Sequence, residues 1–174
     1  MLLLKNVKLS NTFSEARLWK ALNFFAEAMT MTKDLTGYYY AKIIKSLNYL
    51  EYTYQKVKLL STNLSELTPD ELERWDGMAT RFARASDLFL SKYIKAAVKR
   101  DDPAFDGAFR DYLNGAEKLG LIDRTDEWIE IRDLRNVAVH EYTEDDLQKI
   151  LQKFLKYTPM VLELRRRLAN APQG

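Results

Sequence analysis

The sequence predicts an all-α protein, an antiparallel up-and-down bundle of about five to six helices in a single domain over residues 1–174. Three observations predict it. Four prolines and six glycines occur, leaving long intervals without a breaker, whereas strands of ordinary length need turns far more often. Apolar residues recur at steps of three and four, the spacing that lines one face of a helix. A chain of 174 residues also lies in the one-domain range and can bury a core without metal or disulfide.

The elements follow in order. A first helix is expected after Thr12, where Thr12 and Glu15 have capping-box spacing. Leu18, Leu22, Phe25 and Met29 form its stripe, widened by Trp19 and Phe24. A second helix is expected from about Lys33 to Leu60, with Ile43, Leu47, Leu50, Tyr54 and Val57 facing the core. Gly37 weakens its start by about 1 kcal/mol. Tyr38, Tyr39 and Tyr40 cannot share one face, since helical neighbours differ by about 100°. Residues 61–67 are polar and read as the main connection. Thr68-Pro69-Asp70-Glu71 is then the clearest helix start in the chain: a cap, a proline at the first position, and a glutamate closing the box.

This third helix carries Trp75, Met78, Phe82, Ala85, Phe89 and Tyr93 on one stripe and should end near Lys99, before Asp101-Asp102-Pro103. A fourth is expected over about Phe105 to Leu119, packing through Phe109, Leu113 and Ala116 and stopped by Gly120. A fifth follows Asp123 and Thr125 with Trp128, Ile131 and Leu134 inward. The last starts near Glu144 behind a Thr143–Asp146 cap, and Pro159 should kink or divide it. Residues 170–174 should fray. There is no internal repeat or low-complexity segment.

Composition removes several function classes. With no cysteine, disulfide stapling, thiolate catalysis and Cys-ligated zinc are excluded. One histidine cannot make a multi-histidine zinc site within one chain, and no metal or cofactor is expected. Met1 to Leu4 is too short an apolar run for a signal peptide, and nothing approaches 18 apolar residues. The expectation is a cytoplasmic protein without a membrane partner. Residues 1–64 hold nine Lys/Arg against four Asp/Glu. That surface can attract phosphate mildly or be an ordinary solvated face.

The chemically distinctive stretch is Ile131-Arg132-Asp133-Leu134-Arg135-Asn136-Val137-Ala138-Val139-His140-Glu141-Tyr142. Arg132, Asn136 and His140 recur every four residues and share a face. Arg135 and His140 stand about 140° apart on an ideal helix. They border one groove if His140 lies at a fraying last turn, or if a second chain supplies the opposite wall. Arg135 offers a cationic fork for phosphate oxygens. His140 can transfer a proton near neutral pH. Asn136 can orient the imidazole or ligand, and Tyr142 can donate a hydrogen bond or stack on a base. These roles suffice for RNA cleavage without metal. The same residues equally fit a structural histidine, with Arg135 paired to a carboxylate such as Asp133 or Glu141.

The run Arg135 to Tyr142, an Arg, four residues, His, one residue and Tyr, resembles the signature of HEPN domains, and more narrowly that of HepT-like and nucleotidyltransferase substrate-binding proteins. Ala116 to Asp123, Trp128 and the aromatic-rich Arg81 to Tyr93 are similar to the latter group. The resemblance covers about residues 70–160. It implies a bundle of about five helices, usually a homodimer whose motifs face a shared cleft. It also implies a metal-independent endoribonuclease toxin, neutralised by a small nucleotidyltransferase encoded nearby that adenylylates the motif tyrosine. Carried over by position, Arg135 and His140 are the catalytic pair, Asn136 is their support and Tyr142 is the modified residue; Arg132 stands beside them on the shared face. The substrate-binding label implies the alternative, a non-catalytic partner of that transferase. The chain departs from the pattern in its longer, aromatic-rich first half and in its net-acidic motif half.

Overall fold

The computed structural model describes residues 9–136 and 144–171. Among them there are helices and no strand. They comprise α1 (Leu9–Val57), a short 3-10 turn (Leu64–Glu66), α2 (Pro69–Asp87), a π-helical segment (Leu88–Tyr93), α3 (Ile94–Asp101), α4 (Phe109–Lys118), α5 (Thr125–Asn136) and α6 (Glu144–Asn170). The all-α bundle expected from the sequence is the observed architecture. No helix among the described residues is long and apolar enough to cross a membrane.

The first two expected helices are one. At about 1.5 Å per residue, the 49 residues of α1 form a rod of roughly 70 Å. Thr12 and Glu15 lie inside this rod instead of capping it. Nothing between Met29 and Lys33 breaks it, and Gly37, with open space where its Cβ would stand, costs helix propensity without ending the helix. Among the described side chains of α1, those that enter the core lie in its carboxyl-terminal part, where Ile43, Leu47, Leu50 and Val57 are buried and Tyr54 is half-buried. The described apolar positions of the first expected helix do not join that core: Trp19, Leu22 and Phe24 are exposed. Of the three consecutive tyrosines, Tyr38 is exposed while Tyr39 and Tyr40 pack against the core.

α2 starts as its sequence requires. The Thr68 hydroxyl accepts from the Glu71 N–H at 3.3 Å, and the Glu71 carboxylate accepts from the Thr68 N–H at 2.9 Å. That second bond holds the Glu71 carboxyl below its ordinary pKa. The stripe Trp75, Met78, Phe82, Ala85, Phe89 and Tyr93 is buried throughout. It does not follow one uniform helix, however. The Ser86 hydroxyl, buried among apolar neighbours, donates to the Phe82 carbonyl at 2.7 Å, a local bond that bends helices. Directly beyond, the ladder widens, and the Ile94 N–H reaches the Phe89 carbonyl five residues back. Leu90 and Ile94 are thereby buried together with Phe89 and Tyr93.

α4 begins at Phe109, four residues later than the apolar pattern suggests. Asp102 accepts from the Ala104 N–H at 3.1 Å, holding a turn through Pro103. Asp111 then accepts from the Ala108 N–H at 2.8 Å to start the helix. Phe105 remains in the loop, edge-on to Tyr112 at 4.9 Å. The expected stop at Gly120 is present. Its φ is +69°, and Leu121 N–H reaches the Ala116 carbonyl at 2.9 Å, the six-to-one bond of a Schellman motif.

α6 runs unbroken through Pro159, so the expected division does not occur. Flanking Tyr157, Thr158 and Val161 are fully buried, and this packing outweighs the one backbone bond that proline forfeits. Polar ties register α6 against its neighbours. Arg165 contacts Asn48 and Glu51 of α1 at 3.0 and 2.9 Å. Arg167 forks onto Asp123 ahead of α5. The Tyr157 hydroxyl donates to Glu130 of α5 at 2.6 Å. Burial raises the Tyr157 phenol, while its bond to Glu130 lowers that carboxyl. The expected Thr143 cap lies outside the described residues.

Candidate functional site

The site is assembled where α5 ends against the π-helical segment. Trp128, Ile131 and Leu134 are buried on the inward face of α5, and the Trp128 ring lies 4.9 Å from that of Phe89. This contact adds to the packing of α5 against α2. It brings Arg135 to Asp87 and Ser91, residues 48 and 44 positions away in sequence.

There the three side chains close a ring of hydrogen bonds. Ser91 Oγ donates to Asp87 Oδ1 at 2.8 Å. Arg135 Nη1 donates to the same carboxylate oxygen and, at 3.2 Å, to Ser91 Oγ. Both hydrogens of Nη1 are therefore committed. The opposite edge of the guanidinium behaves differently. Nε and Nη2 both point at the Asn136 carboxamide oxygen, at 3.2 and 3.1 Å. Asn136 is exposed and is the last residue of α5, so this contact is local and readily exchanged. The Arg135 side chain itself is 23% exposed. A guanidinium clamped on one side with its two-nitrogen edge outward is oriented for a planar anion such as a carboxylate or phosphate.

Of the residues expected at the site, the structure thus brings Arg135 and Asn136 together. Arg132 has another role: its guanidinium stacks over the Phe109 ring of α4 at 4.2 Å. His140 and Tyr142, and the alternative partner Glu141, lie outside the described residues. The carboxylate paired with Arg135 is Asp87 rather than Asp133, which is exposed on α5.

Asp87 and Ser91 are the site residues that sequence reasoning missed. Their signal was present: two polar residues four apart, hence on one helical face, within the aromatic-rich stretch from Arg81 to Tyr93. Of the basic residues in 1–64, Lys56 lines a shallow groove of about 480 Å³ between α1 and α2, where it stands with Arg74 and Arg81 beside Asp70 and Glu73. The two carboxylates offset most of its charge.

What the fold and this cluster define is a helical bundle with an anchored arginine at the end of α5. Comparison of the chain with protein-family models, with curated proteins and with solved structures finds no match.

Proposed function

We propose that this protein is a HEPN-type, metal-independent endoribonuclease toxin of a toxin–antitoxin pair, working as a cytoplasmic homodimer and neutralised by a minimal nucleotidyltransferase that modifies Tyr142. The observation that carries the reading is the clamp on Arg135. Asp87 and Ser91 fix Nη1, so the Nε/Nη2 edge is set for phosphate, with Asn136 as the group that phosphate displaces.

In this reading Arg135 neutralises charge building on the scissile phosphate. His140 removes the proton of the RNA 2′-hydroxyl, or protonates the departing 5′ oxygen. The 2′ oxygen bonds to phosphorus as the P–O5′ bond breaks, leaving a cyclic phosphate and a 5′-hydroxyl. Two proton transfers need two groups, and each chain has one histidine. A homodimer with its motifs across a shared cleft supplies a second imidazole. Adenylylation of Tyr142 adds a phosphodiester whose negative charge competes with RNA for Arg135.

One observation favours the alternative of a non-catalytic partner or substrate-binding subunit of the transferase: Arg135 already has a carboxylate partner, as a purely structural arginine would. The two readings separate in one assay. Purified unmodified protein, incubated with a broad panel of RNAs in excess EDTA, should cleave at least one of them. Absence of cleavage across the panel selects the binding-subunit reading.

A further inference from the structure

The carboxyl-terminal half of α1 carries two stripes. Ile43, Leu47, Leu50 and Val57 face the core. On the opposite side stand Tyr38, Lys42, Lys45, Tyr49, Tyr52 and Lys56, every one exposed. They are separated by four, three, four, three and four residues, so they form one line along the helix. At about 1.5 Å per residue the line runs roughly 27 Å. Its tyrosines lie open: Tyr38 and Tyr49 are each 52% exposed and Tyr52 61%.

The composition of this line is one-sided. It has three lysines and no carboxylate. Between Tyr38 and Lys56 the sequence has one acid, Glu51, and that side chain is turned to Arg165 of α6 at 2.9 Å. The exposed face of α2 is of the ordinary mixed kind, with Asp70, Glu73 and Asp76 beside Arg74. Asp70 and Glu73 meet the line at its Lys56 end, across the shallow groove, where Arg74 and Arg81 accompany them. Cation and ring are paired along the line. Lys42 Nζ lies 4.3 Å from the Tyr38 ring centre, and Lys56 Nζ 4.2 Å from that of Tyr52. A hydrogen bond from Lys56, then its charge and that of Arg81, hold the Tyr52 phenol below its ordinary pKa.

An acid-free row of cations calls for a polyanion. The rings exposed between the cations call for more than charge, because they offer faces on which planar groups stack. In a duplex the bases are already stacked on one another. A single strand can lay its bases on the rings and its phosphates on the lysines. An anionic bilayer is the poorer match, since the line has no aliphatic side chain to enter the acyl region. We infer that the Tyr38–Lys56 face of α1 is a binding track for single-stranded RNA, with Tyr49 and Tyr52 stacking bases while Lys42, Lys45 and Lys56 hold phosphates. The track shares no residue with the Arg135 cluster. It goes beyond the proposed cleavage and does not rest on it: a protein that cuts nothing still carries this face.

Fluorescence anisotropy of the full chain with a labelled 2′-O-methyl oligoadenylate in EDTA tests the track. That RNA lacks the free 2′-hydroxyl, so binding is read independently of cleavage. Tyr49→Ala/Tyr52→Ala should weaken binding at least about tenfold, the scale set by losing base–aromatic stacks, with helical content by circular dichroism unchanged. Lys42→Gln/Lys45→Gln removes two phosphate contacts. It should flatten the slope of log affinity against log salt by about 1.4, at roughly 0.7 per contact on a single strand. Wild-type affinity in the tyrosine variant overturns the track, even where lysine loss weakens binding, because any polyanion would respond to the lysines. An unchanged salt slope in the lysine variant overturns it too. Tighter binding to poly-glutamate than to the oligonucleotide, or binding to phosphatidylserine vesicles without binding to the oligonucleotide, overturns the choice of RNA.

Discussion

His140→Ala should cut RNA about 10²- to 10⁴-fold more slowly than the unmodified wild-type chain, the usual loss when a positioned proton-transfer group is removed. The chain offers no second histidine to substitute. Arg135→Lys should fail comparably for a different reason. A lysine ammonium can still pair with Asp87, but it is a point charge without the second, outward edge that faces Asn136 in the structure. The two variants therefore separate proton transfer from phosphate positioning: RNA binding should survive in the first and weaken in the second. Cleavage rates in EDTA, with binding measured on an uncleavable oligonucleotide, check both. Equal cleavage by His140→Ala and wild type would remove that residue from catalysis.

Trp128→Ala should lower the unfolding free energy by about 3–5 kcal/mol, the range for deleting a large aromatic from a packed core. Trp128 is 2% exposed, and its ring meets Phe89 at 4.9 Å within the π-helical segment. No backbone hydrogen bond depends on it, so the cost comes from lost contacts and the cavity left behind. The same contact positions α5 against Asp87 and Ser91, so the variant should also loosen the Arg135 clamp while leaving its three residues unchanged. Urea denaturation gives the free energy. A loss below about 1 kcal/mol, typical of surface changes, would show that α5 is held by something other than this aromatic contact.

The parts of the fold legible in the sequence were those governed by local chemistry. The Thr68–Glu71 box, the aromatic stripe from Trp75 to Tyr93, the stop at Gly120 and the inward face of α5 all follow from spacing and capping, and the structure has each of them. What was not legible depended on distant partners. Trp19 and Leu22 have the spacing of core residues, but spacing cannot report that the packed core lies further along the helix. The merger of two expected helices into α1 reflects the absence of any glycine or proline between Met29 and Lys33. Pro159 does not divide α6, because Tyr157, Thr158 and Val161 beside it are buried. At the site, Arg135 and Asn136 were visible as a polar pair. Their anchor was not, because Asp87 and Ser91 are 48 and 44 residues upstream of Arg135 and reach it only through helix packing. The widened turn that presents them arises just beyond Ser86, whose bond to the Phe82 carbonyl has no distinctive sequence mark.

The account turns on Arg135 being held by Asp87 and Ser91 at Nη1 and by the exposed Asn136 at Nε and Nη2. The Nε–H resonance of Arg135, assigned by comparison with Arg135→Lys, reports that edge directly during titration with a 2′-O-methyl oligonucleotide in EDTA. The account predicts a saturable shift of this resonance that follows overall binding, as phosphate replaces the Asn136 oxygen. Saturation of the protein with oligonucleotide while the Arg135 Nε–H stays unmoved would contradict it.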